Sequence, residues 1–365
     1  MVGTKPKYME LVDWVKEQID NGTFVPGHKM SSENELVTKF HISRQTVRHA
    51  ITVLEQEGII ESRRGSGTYI NNVFDEQKLK NTMNVAVITT YVEEYIFPSI
   101  IQEIERVVSE AGYTIQMAFS HNLTKKERSV LQNILDKQLV DGIIVEPIKS
   151  GLPNFNKDLY EEIIKRKIPT LFLNSYYPDI NLPHVSMNDK MAGDMVTNYL
   201  LSCGHKNIAG IFKLDDGQGR RRYEGYVEAL IAAGLPIQDE HILWIDTEDI
   251  NDLKNESRRV LKRLKGCTAC VCYNDVVANK ILSICKKNSI EVPGQMSIIG
   301  IDNSDVARLS EIPLTTVNNP LKQLGHLAGE TILNLMDGKT ADVTMELEPE
   351  LVVRKSVQTI AEGII

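Results

Sequence analysis

The sequence predicts an α/β protein in two parts: a small helical unit closed by a β-hairpin, then a larger, doubly wound body of two lobes. Three observations predict it. Residues 32–54 carry the punctuation of two short helices, and a basic, glycine-rich hairpin follows them. From Val85 onward, β-branched runs alternate with helical stretches. The net charge of −8 lies wholly outside residues 1–73, where nine basic and nine acidic residues cancel. A length of 365 residues allows two or three folded units, and 42% hydrophobic with 25% charged content is ordinary for a globular chain with a sizeable core.

The first helix is expected over 8–21, with Tyr8, Leu11, Val12, Val15 and Ile19 at helical spacing and Gly22 as its stop. Ser32 with Glu35 three residues on is a capping-box pattern and opens a helix to about Phe40. Ser43 is a good N-cap for the next helix, whose buried stripe is Val47, Ala50, Ile51 and Leu54. The opposite stripe carries Arg44, Gln45, Arg48 and His49. Gly58 ends this helix, and residues 59–62 and 68–70 read as two strands joined by Arg63-Arg64-Gly65-Ser66-Gly67. Gly65 and Gly67 allow the tip to turn tightly and approach a phosphate. Helix, helix and basic hairpin in this order make a winged helix-turn-helix. In such a unit the first residues of the second helix reach base edges in the major groove, Arg suiting guanine and Gln adenine. The acidic remainder discourages non-specific adhesion to DNA.

Residues 71–83 are polar and aperiodic and read as a linker. Strands are then expected at 85–88, 114–118, 142–145, 170–173 and 208–212, alternating with helices near 99–111, 125–138, 159–166 and 192–203. A second set follows: helices near 221–233, 253–264 and 276–288, and strands at 242–245, 269–272 and 297–301. This alternation predicts parallel sheets with helices on both faces. Two facing lobes of this kind clamp a small molecule beyond the C-terminal ends of their strands.

The expected division is 1–70 for DNA binding, 71–83 as linker, and 84–365 for effector binding and dimerisation. No apolar run approaches the ~20 residues of a membrane span, and Lys5, Lys7, Glu10 and Asp13 interrupt anything like a signal peptide, so a cytoplasmic protein is expected. Cys203, Cys267, Cys270, Cys272 and Cys285 read as structural, with Cys270 and Cys272 on one face of a buried strand; no metal is expected. Gly217-Gln218-Gly219 is too short for a dinucleotide fingerprint, and neither a phosphate loop nor a Gly-x-Ser-x-Gly elbow is present. An enzyme is therefore not expected, and no cofactor.

Residues 7–70, with Ser43-Arg44-Gln45-Thr46-Val47-Arg48 and the Gly65-Ser66-Gly67 wing, resemble the GntR family of bacterial regulators. The resemblance implies DNA contacts by Asn34, Ser43, Arg44, Gln45, Thr46, Arg48, Arg64 and Gly65, with Glu33 and Lys7 beside them. Asn34 stands where that family often has Arg. Residues 84–355, through Val140-Asp141-Gly142, Gly204-His205-Lys206-Asn207, Asn274-Asp275 and Gly300-Ile301-Asp302, resemble the effector domain of the LacI/GalR regulators. That resemblance implies a fold like the periplasmic sugar-binding proteins of type I, two lobes joined by three crossovers. The pairing of these two parts resembles an arabinose-responsive repressor subfamily, which implies L-arabinose as effector, acting as inducer. Another pentose or sugar derivative stays open.

A sugar offers vicinal hydroxyls and an apolar face, so its pocket needs carboxylates or amides, a fixed cation and rings. Asp302, Asn274 and Asn174 follow strands, and Arg222 opens a helix after an expected loop over 215–221. Asn174 stands where the broader family often has Asp. Thr90, Tyr91, Tyr95 and Phe97 follow the first strand of the body, Glu146 the third, and Phe212 and Lys213 the fifth. The whole implies a homodimeric, sugar-responsive repressor reading a near-palindromic operator, without membrane contact. A sugar-binding transport component and a sugar-converting enzyme are the rivals.

Overall fold

The computed structural model describes residues 6–25, 27–56, 58–63, 66–71, 82–91, 96–137, 139–253, 255–339 and 344–360. The chain divides into two compact units, Met1–Asn81 and Thr82–Ile365. Residues 72–81 of the expected linker lie outside the described residues. Its last two residues belong to the second unit: Asp141 accepts from the Thr82 amide at 2.9 Å and from the Met83 amide at 2.8 Å.

The first unit holds α1 (Lys7–Asp20), α2 (Glu33–Phe40), α3 (Arg44–Gln56), β1 (Ile60–Arg63) and β2 (Gly67–Ile70). The capping box is present, with the Ser32 hydroxyl receiving the Glu35 amide and the Glu35 carboxylate receiving the Ser32 amide at 2.7 Å. Ser43 caps α3 through the Thr46 amide at 3.2 Å. Leu11, Val15, Leu36, Val47, Ala50 and Leu54 are buried together, so the helical periodicity of all three helices converges on one small core. β1 and β2 pair antiparallel with Ile60 opposite Ile70 and Arg63 opposite Gly67. Residues 27–30 bond to the outer edge of β2, which widens the hairpin by a short third strand.

The first lobe of the second unit is built from β3 (Asn84–Thr89), α4 (Phe97–Glu110), β4 (Thr114–Phe119), α5 (Thr124–Lys137), β5 (Gly142–Val145), α6 (Lys157–Lys165), β6 (Thr170–Leu173) and β7 (His184–Met187). α7 (Asp189–Ser202) then leads into the second lobe, with β8 (Ile208–Lys213), α8 (Gly217–Ala232), β9 (Ile242–Ile245), α9 (Thr247–Asp252), α10 (Ser257–Leu264), β10 (Ala269–Cys272), α11 (Asp275–Lys287), β11 (Ser297–Ile299) and α12 (Asp305–Leu309). β12 (Thr316–Asn318), α13 (Leu321–Met336), β13 (Thr344–Leu347) and β14 (Glu350–Val352) complete the chain.

Both main sheets are parallel, in the orders β13-β7-β6-β5-β3-β4 and β11-β10-β8-β9. The chain crosses between lobes after β7, after β12 and after β13, since α13 packs on α4 of the first lobe while β14 returns to pair with β12. These are the three crossovers that the resemblance implies. All-buried strands such as Gly142–Val145 and Ala269–Cys272 explain the unbroken apolar runs in the sequence.

Two expectations are corrected. The helix expected from 221 begins at Gly217, because Asp216 caps it through the Gly219 amide at 2.7 Å, so 217–221 is helix and Arg222 lies inside it. The helix expected over 253–264 is divided into α9 and α10, with Asp246 forming its own capping box at the start of α9. No strand is expected from the sequence at β7. The five cysteines are free and buried, and the Cys270 and Cys272 sulfurs lie 3.8 Å apart on one face of β10. Among the described residues no helix is long and apolar enough to cross a membrane.

Candidate functional site

Parallel strands that end on one side of each lobe deliver their following residues to a common cleft. A cleft of about 600 Å³, part of it open solvent, lies there. Thr90 follows β3, Glu146 follows β5, Asn174 follows β6, Lys213 ends β8, Asn274 follows β10 and Asp302 follows β11; all line the cleft, as do Tyr91 and Arg222.

On the first-lobe wall, Glu146 accepts from the Thr90 amide at 2.8 Å and the Thr90 hydroxyl at 2.6 Å, and from the Asn174 side-chain amide at 3.3 Å. Asn174 has φ 65, a left-handed conformation that Asn tolerates better than most residues. On the second-lobe wall, Arg222 is 3% exposed and spends its donors on three partners: Asp189 at 2.8 Å, the Tyr273 carbonyl at 2.6 Å and Asp302 at 3.3 Å. Asp302 has φ 110, a sparsely populated backbone held by its bridge to Asn318. Asn274 caps α11 through the Val277 amide at 3.0 Å, so its side-chain oxygen is occupied and its N–H₂ remains for the cleft.

Burial pushes the Asp189 carboxyl up to about 6, against the opposing pull of Arg222. Burial, and next the charge of Asp302, push Asp275 up to about 7. Asp275 sits behind the cleft wall, accepting from Thr316 at 2.6 Å and from the Ser304 amide at 2.7 Å. Tyr273 donates to Asp216, and its phenol is raised by burial first and by that carboxylate second.

Two expected residues are elsewhere. Phe212 precedes Lys213 on β8 and therefore faces the opposite side of the sheet, packing on Tyr223, Tyr226 and Trp244. Phe97 is fully buried in the first turn of α4, and Ile96 before it reaches the cleft instead. Tyr95 lies outside the described residues. Sequence reading missed Asn122 and Lys149 on loops, Asp216 and Gln218 at the start of α8, Tyr273, and Asn319. Asn319 is 5% exposed, and its Nδ2 donates to Asp302 at 3.4 Å. Its Oδ1 has no hydrogen-bond partner among the described residues. An Asp before the next pair of glycines is a helix-cap signal that could have found Asp216.

In the first unit, Lys7, Asn34, Ser43, Arg44, Gln45 and Arg48 are exposed, and Glu33 and Thr46 half-buried. The Arg48 Nε donates to both oxygens of Glu33, at 3.2 and 3.0 Å. Arg63 lies over the Tyr69 ring and pairs with Glu61. Arg64 and Gly65 lie outside the described residues.

The pattern described as bacterial regulatory proteins of the gntR family matches residues 7–70, and that of a periplasmic binding protein-like domain matches residues 197–357. The chain is 36% identical over 361 residues to an arabinose metabolism transcriptional repressor of Halalkalibacterium halodurans, covering 96% of each chain. It is 33% identical over 362 residues to the protein of the same name from Geobacillus stearothermophilus, covering 98% of this chain and 99% of that one. Among solved structures, the transcription regulator CcpA of Lactococcus lactis matches with a TM-score of 0.68 and 27% identity, covering 75% of this chain and 99% of that one.

Proposed function

This chain belongs to the family of arabinose metabolism transcriptional repressors, and we propose from that premise that L-arabinose binds in its cleft and releases it from operator DNA. The protein is a transcriptional regulator and not an enzyme, as its relatives are. One observation supports a neutral polyol as the effector. The three cations that line the cleft, Lys149, Lys213 and Arg222, are more than matched by anions: Glu146, Asp216 and Asp302 line it too, and Asp189 and Asp215 pair with Arg222 and Lys213 from behind. A phosphorylated sugar would leave two negative charges uncompensated in such a cleft, whereas hydroxyls can donate to the carboxylates and accept from the cations at no net charge. Tyr91 and Tyr273 supply rings for the C–H face of a sugar.

The roles follow from the chemistry. Asp302 and Glu146 accept from hydroxyls, Arg222 and Lys213 donate, and Asn174 and Asn274 offer amide N–H₂ groups. The exposed start of α3, with Arg44, Gln45 and Arg48, reads base edges, while Lys7, Ser43 and Asn34 hold phosphates. A homodimer in the cytoplasm gives two such helices for the two half-sites of a near-palindrome. Effector binding is carried to the DNA-contacting unit along the joining chain. Titration calorimetry of the full-length protein against L-arabinose, with D-xylose, D-ribose and D-galactose as controls, tests the effector. Saturable binding of L-arabinose alone is expected. Binding of another of these sugars in its place would transfer the assignment to that sugar, and silence with all four would overturn it.

A further inference from the structure

Helix α8 carries three consecutive arginines, and each goes to a different place. Arg222 faces the cleft, but its two predecessors reach across to the first lobe. Arg220 donates to the Gly151 carbonyl at 2.6 Å. Arg221 donates to the hydroxyl of Tyr176, whose ring is stacked on His184 with centroids 3.9 Å apart. The first amide of the same helix, Gly217 N–H, donates to the Ser150 hydroxyl at 2.9 Å. The two backbones approach closely at Gly151, where a Cβ would stand 2.5 Å from the Leu214 carbonyl oxygen and 2.7 Å from that of Asp216. Glycine at 151 therefore answers to the facing lobe and not to any left-handed φ of its own.

We propose that Arg220, Arg221 and Gly151 are positioning residues of the effector response, forming a seam that holds the lobes shut over the ligand. This deepens the reading of the cleft as the effector site and rests on it. Residues 220 and 221 touch no part of the cleft, yet they fix the helix turn that presents Arg222. When two lobes hinge about a site, ligand is held only in the shut state, and the apparent affinity falls by the fraction of molecules in that state. The seam bonds stabilise the shut state alone. Arg220 and Arg221 are exposed, so water competes for each bond and each contributes modestly. A methyl group at 151 acts more severely, because it collides with two carbonyl oxygens only when the seam closes.

Four full-length variants test this: Arg221→Ala, Tyr176→Phe, the double substitution, and Gly151→Ala. Two readouts are taken. L-arabinose affinity is measured by calorimetry, and hydrogen exchange of the Gly217 and Gly151 amides is measured in ligand-free protein. Tyr176→Phe keeps the ring on His184 and removes only the hydroxyl. The expected result is a several-fold loss of affinity in each single variant, no further loss in the double, and a loss of tenfold or more in Gly151→Ala. Operator affinity without sugar stays unchanged, and exchange at Gly217 accelerates in the Arg221 and Tyr176 variants. Affinities within twofold of the parent, additive losses in the double variant, or unchanged exchange at Gly217 would overturn the seam. If the parent protein binds no L-arabinose, the effector reading fails, and exchange at Gly217 still decides the seam.

Discussion

Asp302 accepts a hydrogen bond from Arg222 at 3.3 Å, while Asp189 holds the same guanidinium from behind at 2.8 Å. The two carboxylates divide the labour: one faces the cleft, the other anchors the cation. Asp302→Ala therefore abolishes sugar binding in calorimetry while the fold survives, because Asp189 still neutralises Arg222. Arg222→Met strands two buried carboxylates and costs about 3–5 kcal/mol of stability in denaturant unfolding. Equal stability losses from the two substitutions would contradict this division.

Asn319 lines the cleft, and its side-chain oxygen is buried without a hydrogen-bond partner among the described residues. Its orientation is set by the donor bond to Asp302, since the flipped amide would place oxygen against carboxylate. A sugar hydroxyl donating to Oδ1 contributes about 1 kcal/mol. Asn319→Ala is expected to weaken L-arabinose binding several-fold without lowering the melting temperature. Unchanged affinity in calorimetry would remove Asn319 from the site.

Asp275 titrates near 3.8 when unfolded and is pushed up to about 7 in the folded protein, by burial first and by the Asp302 charge next. Between those values the native state keeps a proton that the unfolded state has released. Its contribution to stability is thus fully present below about pH 3.8 and is lost as pH rises through about 7. Asp275→Asn cannot titrate, so melting temperature recorded across that window should fall less steeply with rising pH than in the parent. An identical slope would contradict the assignment.

On the DNA side, Arg44→Ala and Arg48→Ala should each cost about 1–3 kcal/mol of operator binding by gel shift, with sugar binding intact. The Arg48 contact with Glu33 is exposed at both ends and adds little to stability, so a change in melting temperature is not expected.

The fold was legible where local chemistry repeats. The Ser32 and Ser43 caps, the stripe Val47, Ala50 and Leu54, and the buried strands 142–145 and 269–272 all carry their own signal. Phe212 was misplaced because period-2 alternation puts neighbours on opposite faces, and the choice of face depends on packing partners such as Trp244 that are distant in sequence. The start of α8 was read as loop because glycines at 217 and 219 suggest a turn. Gly219 is there instead for close approach, a Cβ at 219 falling 2.1 Å from the Lys213 carbonyl oxygen. Asn319 lies on a crossover, where no local periodicity marks a residue as facing the cleft.

The most direct test of the account is a fluorescence anisotropy titration of the full-length protein against its operator duplex, with and without saturating L-arabinose. The sugar is expected to raise the dissociation constant by about 5–150-fold. Equal affinity in the two titrations would contradict it.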